Sequence, residues 1–518
     1  MEINATSKFT KLSAISEIST ESGTDYTLPD YQGDVRRVLV TECRAKPASC
    51  YSDESGDEFS GIVTYDVIYL DSEGRMTHAS FTSDYDLRLK GATGHTRTIA
   101  SVGVGSFSVR LTGPRRFSAK ATVCAGVKCI SEEELNPTGS VFSADEKPET
   151  LKRLLKVRSA DKSETLEREY AERLERLEGQ IADEIEILHS GAEICFTDAV
   201  PEEDSIRLKG TLRLYALVQN GDLSIYLVEK DVPVDELVTF VGINDGAHFI
   251  PRYEIVSSVA VVSADDEGAE IALNAIVEYE VACEYNEAVD AMIDAYAVGH
   301  GTKNEYTDYG YGELVACLPL SDNMSCEISS SDITADKIRA IPYLNGTPKI
   351  ERAEVAGGQV LISGELKAVG VASVIGSEGD ISYTGIKLSC PFEKQIKLGT
   401  AVTESASAEC FVRALNVKCA VDTDSVIVDF KLSGAVTVTE KKRESLLVNA
   451  DVEDGEDEPS SEGVITVYYP TSDDTLFSVA KKFRKGCEQV AECNGLTVST
   501  STDGSGGALL GVERLYIY

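Results

Sequence analysis

The side chains that could do chemistry in this 518-residue chain are few and scattered. Its five histidines, His78, His95, His189, His248 and His300, share no spacing that would put two imidazoles on one metal ion. The 13 cysteines include no Cys-x-x-Cys pair, so zinc-ribbon and thioredoxin-like chemistry have no footing. These thiols are expected to be reduced and mostly buried on strands. Gly103-Val104-Gly105 lacks a third glycine and runs into a β-prone stretch, so no helix N-terminus follows to cradle a phosphate. Acid pairs such as Asp265-Asp266 fall in turn sequences, where solvated charge is the simplest reading. With no catalytic, metal or cofactor constellation, a non-enzymatic role is expected.

Charge narrows the partners. Against 49 basic side chains stand 87 acidic ones, a net −38. A nucleic-acid backbone or an anionic membrane surface would repel such a chain. The N-terminus Met-Glu-Ile-Asn-Ala-Thr-Ser-Lys has no basic region followed by an apolar core, and no apolar run approaches membrane-spanning length. Neither membrane insertion nor nucleic-acid binding is expected, and the expected location is cytoplasmic.

The elements that would position any site repeat. From Gly61, Gly210 and Gly364 the chain reads as two runs of β-formers around a polar turn, at 71–74, 219–222 and 376–380. The three glycines are 149 and 154 residues apart. A second hairpin follows each: Ile99–Leu111 with Phe117–Ile130, Tyr253–Ser263 with Glu270–Glu280, and Ala408–Ala420 with Ser425–Thr439. The fold class is therefore mainly all-β, with three tandem antiparallel sandwich-like or barrel-like repeats at 26–130, 191–287 and 346–441. Residues 1–25, rich in Ser and Thr, are expected to be a flexible lead-in. Within 131–190, Asp161 and Glu164 resemble a capping box, and Leu166, Tyr170, Leu174, Leu177, Ile181, Ile185 and Leu188 recur at three and four, predicting an inserted helix. Residues 288–345, with Tyr296, Tyr306, Tyr309 and Tyr311, read as a long connection. Residues 442–462 include the acidic run from Asp451 and read as a linker.

Residues 463–518 form a small module of order β-α-α-β. Asp474 precedes Thr-Leu-Phe-Ser-Val-Ala-Lys-Lys-Phe as a cap should, Gly486 ends that helix, and Gly495 stops a second. Asp474 to Phe483 resembles the strand-to-helix motif of LysM domains, and Asn494-Gly495-Leu496 their end-of-helix motif. The larger part resembles the SPOCS-domain family of spore-forming Clostridia, through Leu28-Pro29-Asp30, Asp34 to Leu39, Pro391-Phe392 and Ile396-Lys397-Leu398, with Pro233 in the second repeat. The combined order of SPOCS repeats, linker and C-terminal LysM is similar to that of spore-coat morphogenetic proteins. That resemblance implies a scaffold on the forespore surface in the mother cell, binding a SpoIVA-like coat ATPase through the LysM-like module. Candidate partner-binding residues are Leu476 and Phe477, with Tyr469, Asp474 and Thr475. The alternative is a peptidoglycan-binding protein that grips N-acetylglucosamine polymers in a groove formed by Asp474, Thr475, Leu476, Asn494, Gly495 and Leu496.

Overall fold

Every repeat-leading glycine lies opposite an extra residue in the neighbouring strand. Gly61 pairs with Pro47, Gly210 with Phe196 and Gly364 with Ile350, and at each place the register slips by one, leaving Ala48, Thr197 and Glu351 unpaired. A bulge of this kind bends a sheet and sharpens its twist. A Cβ on Gly210 would sit 2.5 Å from the Cys195 carbonyl oxygen, and Cβ atoms on Gly61 and Gly364 would fall closer still to backbone oxygens. The repeated glycine is thus a requirement of three identical bends.

These bends curl the chain into three six-stranded units in the computed structural model. The structure describes residues 7–53, 56–90, 97–135, 148–178, 181–244, 246–265, 268–334, 336–376, 379–452, 465–496, 507, 509 and 512–518. The first unit comprises β1 (Ser7–Thr27), β2 (Val35–Asp53), β3 (Gly56–Asp71), β4 (Met76–Lys90), β5 (Arg97–Gly113) and β6 (Arg116–Leu135). One sheet has the order β2-β3-β4 and the other β1-β6-β5. β1 also lies beside β4, and β2 beside β5, so the two sheets close on a shared core of Tyr65, Phe81, Phe117 and Val123.

The third unit repeats this plan with β14 (Thr302–Ser329), β15 (Lys337–Ala356), β16 (Gln359–Ile375), β17 (Ile381–Lys397), β18 (Ala406–Val421) and β19 (Ser425–Val452), in sheets β15-β16-β17 and β14-β19-β18. The second uses β9 (Glu186–Glu202), β10 (Ser205–Gln219), β11 (Ile225–Thr239), β12 (His248–Asp265) and the 30-residue β13 (Gly268–Ala297). Its opening strand is broken in two: β7 (Pro148–Lys162) pairs with the far half of β13 and β8 (Leu166–Glu178) with the near half.

The helix expected over 161–190 is therefore replaced by the end of β7, by β8, by a short 3-10 turn at Ala182–Glu184 and by the start of β9. A spacing of four is even, so Leu166, Tyr170 and Leu174 share one face of a strand as readily as one face of a helix. Leu174 is then a bulge residue, because Arg173 faces Ala272 and Glu175 faces Ile271. The bulge reverses the phase and turns Leu177 inward, 8 % exposed. The charges of β8 pair with those of neighbouring strands: Arg173 with Glu270 at 2.8 Å, Arg168 with Glu236 at 2.8 Å and Glu172 with Lys230 at 2.8 Å.

Three further expectations are corrected. Residues 7–25 lie within β1, which pairs with β6 from Ser7 opposite Leu135 to Thr27 opposite Arg116; residues 1–6 fall outside the described residues. Polar β1 suits a strand because its hydroxyls find acceptors, as Ser22 does by donating to the Asp84 carbonyl at 2.7 Å. The supposed connection 288–345 is ladder: the tail of β13, all of β14 and the start of β15. The linker begins late, since 442–452 continue β19, and the acidic run at 453–462 lies outside the described residues.

The three units form a closed ring. The third strand of each glycine-led sheet packs on the first strand of the next: β4 on β9, β11 on β15, and β17 on β2. Seven residues after each glycine come Ile68, Leu217 and Val371, which meet in one apolar cluster with Val40, Leu188 and Tyr343. Equivalent positions meeting at one point is the signature of a threefold arrangement written into a single chain.

Candidate functional site

The C-terminal module consists of β20 (Thr466–Tyr468), α1 (Leu476–Lys482), α2 (Cys487–Cys493) and β21 (Leu515–Ile517), with β20 antiparallel to β21. The expected order of two strands around two helices is present. Thr475, not the expected Asp474, caps α1, and Gly486 opens α2 instead of ending α1: the Thr475 hydroxyl accepts from the Ser478 N–H at 3.0 Å, while the Ser478 hydroxyl accepts from the Thr475 N–H at 2.9 Å. The Asp474 carboxylate accepts from the Thr471 N–H at 2.8 Å and from the Tyr468 hydroxyl at 2.9 Å, and these bonds, the backbone one foremost, hold its pKa below the usual range. Asn494 pins α2 to β21: its amide donates to the Val490 and Tyr516 carbonyls, each at 2.8 Å, and accepts from the Tyr516 N–H at 2.7 Å. Gly495 takes φ +64° to end α2, and Leu496 packs on the module core.

Leu476 and Phe477 are not free to anchor a partner. They are 4 % and 5 % exposed. The Phe477 ring meets the Tyr296 ring of β13 edge-on, centroids 5.1 Å apart at 71°. Tyr296, read in the sequence as part of a loop, completes the module's core from the body. Its hydroxyl donates to the Lys485 carbonyl at 2.8 Å, and burial together with the adjacent Cys487 thiol raises its pKa. The Gly299 N–H donates to the Arg484 carbonyl at 2.8 Å, Lys481 pairs with Asp294 at 2.5 Å, and the Cys487 N–H reaches Glu149 at 3.2 Å. The long tails of β7 and β13 thus form the seat on which the module docks.

The opposite side of the module is bare. Tyr469, another of the expected contact residues, is 68 % exposed, and Ile465, Val467 and Tyr518 are also exposed. Val467 faces Tyr516 across the ladder, and the same register places Ile465 opposite Tyr518. One face of the two-stranded sheet therefore carries Ile465, Val467, Tyr469, Tyr516 and Tyr518. A cation edges it, with Arg514 5.5 Å from the Tyr516 ring. Alternation at 465, 467 and 469 was a legible strand signal, but which parity faced outward was not. Asp474, Thr475 and Asn494 to Leu496, expected to line a glycan groove, all work to build the module. The 497–506 part of that groove's loop lies outside the described residues.

Folding also gathers residues that the sequence keeps apart. His78 and His189 come within 6.0 Å, and His189 lies 5.4 Å from the Tyr343 ring. Burial lowers the His189 pKa, disfavouring the charged imidazolium. Glu42 accepts from the Tyr343 hydroxyl at 2.6 Å and from the Asn345 amide at 2.9 Å, joining the first unit to the third. Among the described residues, no three His, Cys, Asp or Glu side chains are placed to hold a metal ion. No helix among the described residues is long and apolar enough to cross a membrane. No family model, no curated protein and no solved structure matches the chain.

Proposed function

We propose that this chain is a non-enzymatic assembly scaffold, in which a closed ring of three β units holds a C-terminal module against a protein partner. The observation that carries the reading is the bare strip of Ile465, Val467, Tyr469 and Tyr518, with half-buried Tyr516 on the same face, on a module whose other side is fastened to β7 and β13. A two-sided element, locked behind and apolar in front, suits docking: aromatic side chains supply contact area at low entropic cost. Domain order supports a role like that of SipL-type spore-coat morphogenetic proteins. On that reading the partner is a SpoIVA-like coat ATPase, and the protein works at the forespore surface within the mother cell. Tyr469 takes the anchoring part that the sequence had suggested for Phe477.

The test is capture of the purified ATPase by the full-length protein carrying Tyr469→Ala and Tyr518→Ala. Losing two anchors of this kind should weaken capture by about tenfold or more, with the melting temperature of the scaffold unchanged. Undiminished capture overturns the assignment. Retention on purified peptidoglycan, with no capture of the ATPase, favours the glycan-binding alternative.

A further inference from the structure

Several thiols of this chain rest on groups other than thiols. Cys50 meets the Thr98 hydroxyl, Cys419 the Ile341 carbonyl, Cys487 the Tyr296 hydroxyl and Cys195 the Lys431 ammonium. Cys326 on β14 and Cys390 on β17 differ, because the Cys326 thiol adjoins Cys390 within hydrogen-bonding reach. Their places in the strands explain the meeting. β14 and β17 belong to the two different sheets of the third unit and pack side by side. The Lys394 ammonium of β17 reaches the Asp322 carboxylate of β14 at 2.6 Å. Cys326 follows Asp322 by four residues, and Cys390 precedes Lys394 by four. On antiparallel neighbours those positions stand level, with Met324 level with Phe392 between them. The even spacing keeps them all on the face turned to the core. Burial agrees: Cys390 and Phe392 are buried, and Cys326 and Met324 pack half-buried against the same cluster.

No ladder among the described residues joins β14 to β17, so side chains hold the two sheets together here. We propose that Cys326 and Cys390 are a dithiol that closes to a disulfide under a small disulfide oxidant, stapling the two sheets of the third unit. Half-buried Cys326 is the thiol that such an oxidant can reach. Burial, with the adjoining Cys326 adding to it, raises the Cys390 pKa, so the inner thiol is the slower to attack. With oxidised glutathione, the Cys326 thiolate attacks one sulfur and the S–S bond breaks. One glutathione leaves as a thiolate and takes up the proton that Cys326 gave. Cys390 then gives up its own proton and attacks the Cys326 sulfur of the mixed disulfide, releasing the second glutathione. Two protein thiols are oxidised, and one small disulfide is reduced to two thiols. The new bond closes a loop that takes in β15, β16 and the first part of β17. A cross-link across a long loop restrains the unfolded chain most.

The experiment equilibrates the reduced full-length protein, without denaturant, in glutathione buffers of rising oxidised fraction. The remaining thiols are alkylated and the digest is mapped by mass spectrometry. A peptide linking Cys326 to Cys390, two hydrogens lighter than its separate parts, should appear at a lower oxidised fraction than any other cysteine pair. The linked protein should unfold at higher urea than its reduced form. Cys390→Ser should leave Cys326 carrying glutathione, because no second thiol is there to release it, whereas Cys326→Ser should leave Cys390 reduced. The map of the unaltered protein does not depend on either variant folding. Both cysteines alkylated at every ratio, Cys326 linked chiefly to some other cysteine, or a linked protein no more resistant to urea than the reduced one would each overturn the proposal.

Discussion

Gly210 and Gly364 make a sharp claim because their surroundings are backbone, which cannot swing aside. A methyl group at either would press on a carbonyl oxygen of a bulged strand. Gly210→Ala and Gly364→Ala should each cost about 1–3 kcal/mol, the usual range for overpacking. Gly126 on β6 offers the control, because a Cβ there meets nothing within 4 Å. Gly126→Ala should be neutral or slightly stabilising, since alanine gives up less backbone freedom on folding. Denaturant unfolding of the three variants reads the difference, and equal stability would mean that the bends do not need glycine. The spacing of these glycines was visible from the start. Their cause was not, because the residues they oppose, Ala48, Thr197 and Glu351, carry no mark of a bulge in their identities.

The docking of the module is a claim about elements. Its two short helices share one core with Leu151 and Tyr296 of the body. Phe477→Ala or Tyr296→Ala removes one half of an aromatic pair and opens a cavity, at a cost of about 3–5 kcal/mol for a buried ring. That loss should fall on the docking of residues 465–518, leaving the ring intact. Limited proteolysis should then cut 442–464 faster and release the module, while hydrogen exchange in β3, β10 and β16 stays as slow as before. Slowed or unchanged cleavage would contradict the docked arrangement. Hairpins were legible because their strands alternate and their turns are local: the Asp71 carboxylate accepts from the N–H groups of Glu73 and Arg75, each at 2.9 Å. The opening strand of each unit was harder to read, because its partner lies about a hundred residues away. β8 shows the failure best, since good helix formers at a spacing of four were overruled by the ladder of β13. Leu476 and Phe477 were misread for a related reason. A helical motif tells which residues share a face, not which body will cover that face.

At the scale of the whole molecule, the three units are tied by one buried ionic cluster to which each contributes. Arg158 of the second unit bonds Glu284 at 2.7 Å, Glu409 of the third at 3.1 Å and the Thr439 hydroxyl at 2.6 Å, while Lys128 of the first reaches Glu284 at 2.5 Å. Burial alone would raise the Glu284 pKa, but Lys128 and Arg158 more than offset it and hold it below the usual carboxylate value. The sign of the pH dependence follows. A carboxylate whose pKa is depressed by folding contributes stability that is complete above its unfolded pKa, about 4.3, and is lost as the pH falls through the lower folded value. Acid should therefore loosen the junction between units before it melts their separate cores. Glu284→Gln leaves Arg158 and Lys128 short of a counter-charge and should cost about 3–5 kcal/mol at neutral pH. In that variant the part of the acid-dependent loss that Glu284 carries should vanish. Replacing Arg158 and Glu284 together with Met should recover stability relative to Glu284→Gln, because the deeply buried guanidinium is then gone and Lys128 keeps Glu409 at 3.4 Å. Urea midpoints measured from pH 3 to pH 8 decide the matter. Should Glu284→Gln keep the full acid dependence of the unaltered protein, the closed ring owes its sensitivity to some other carboxylate.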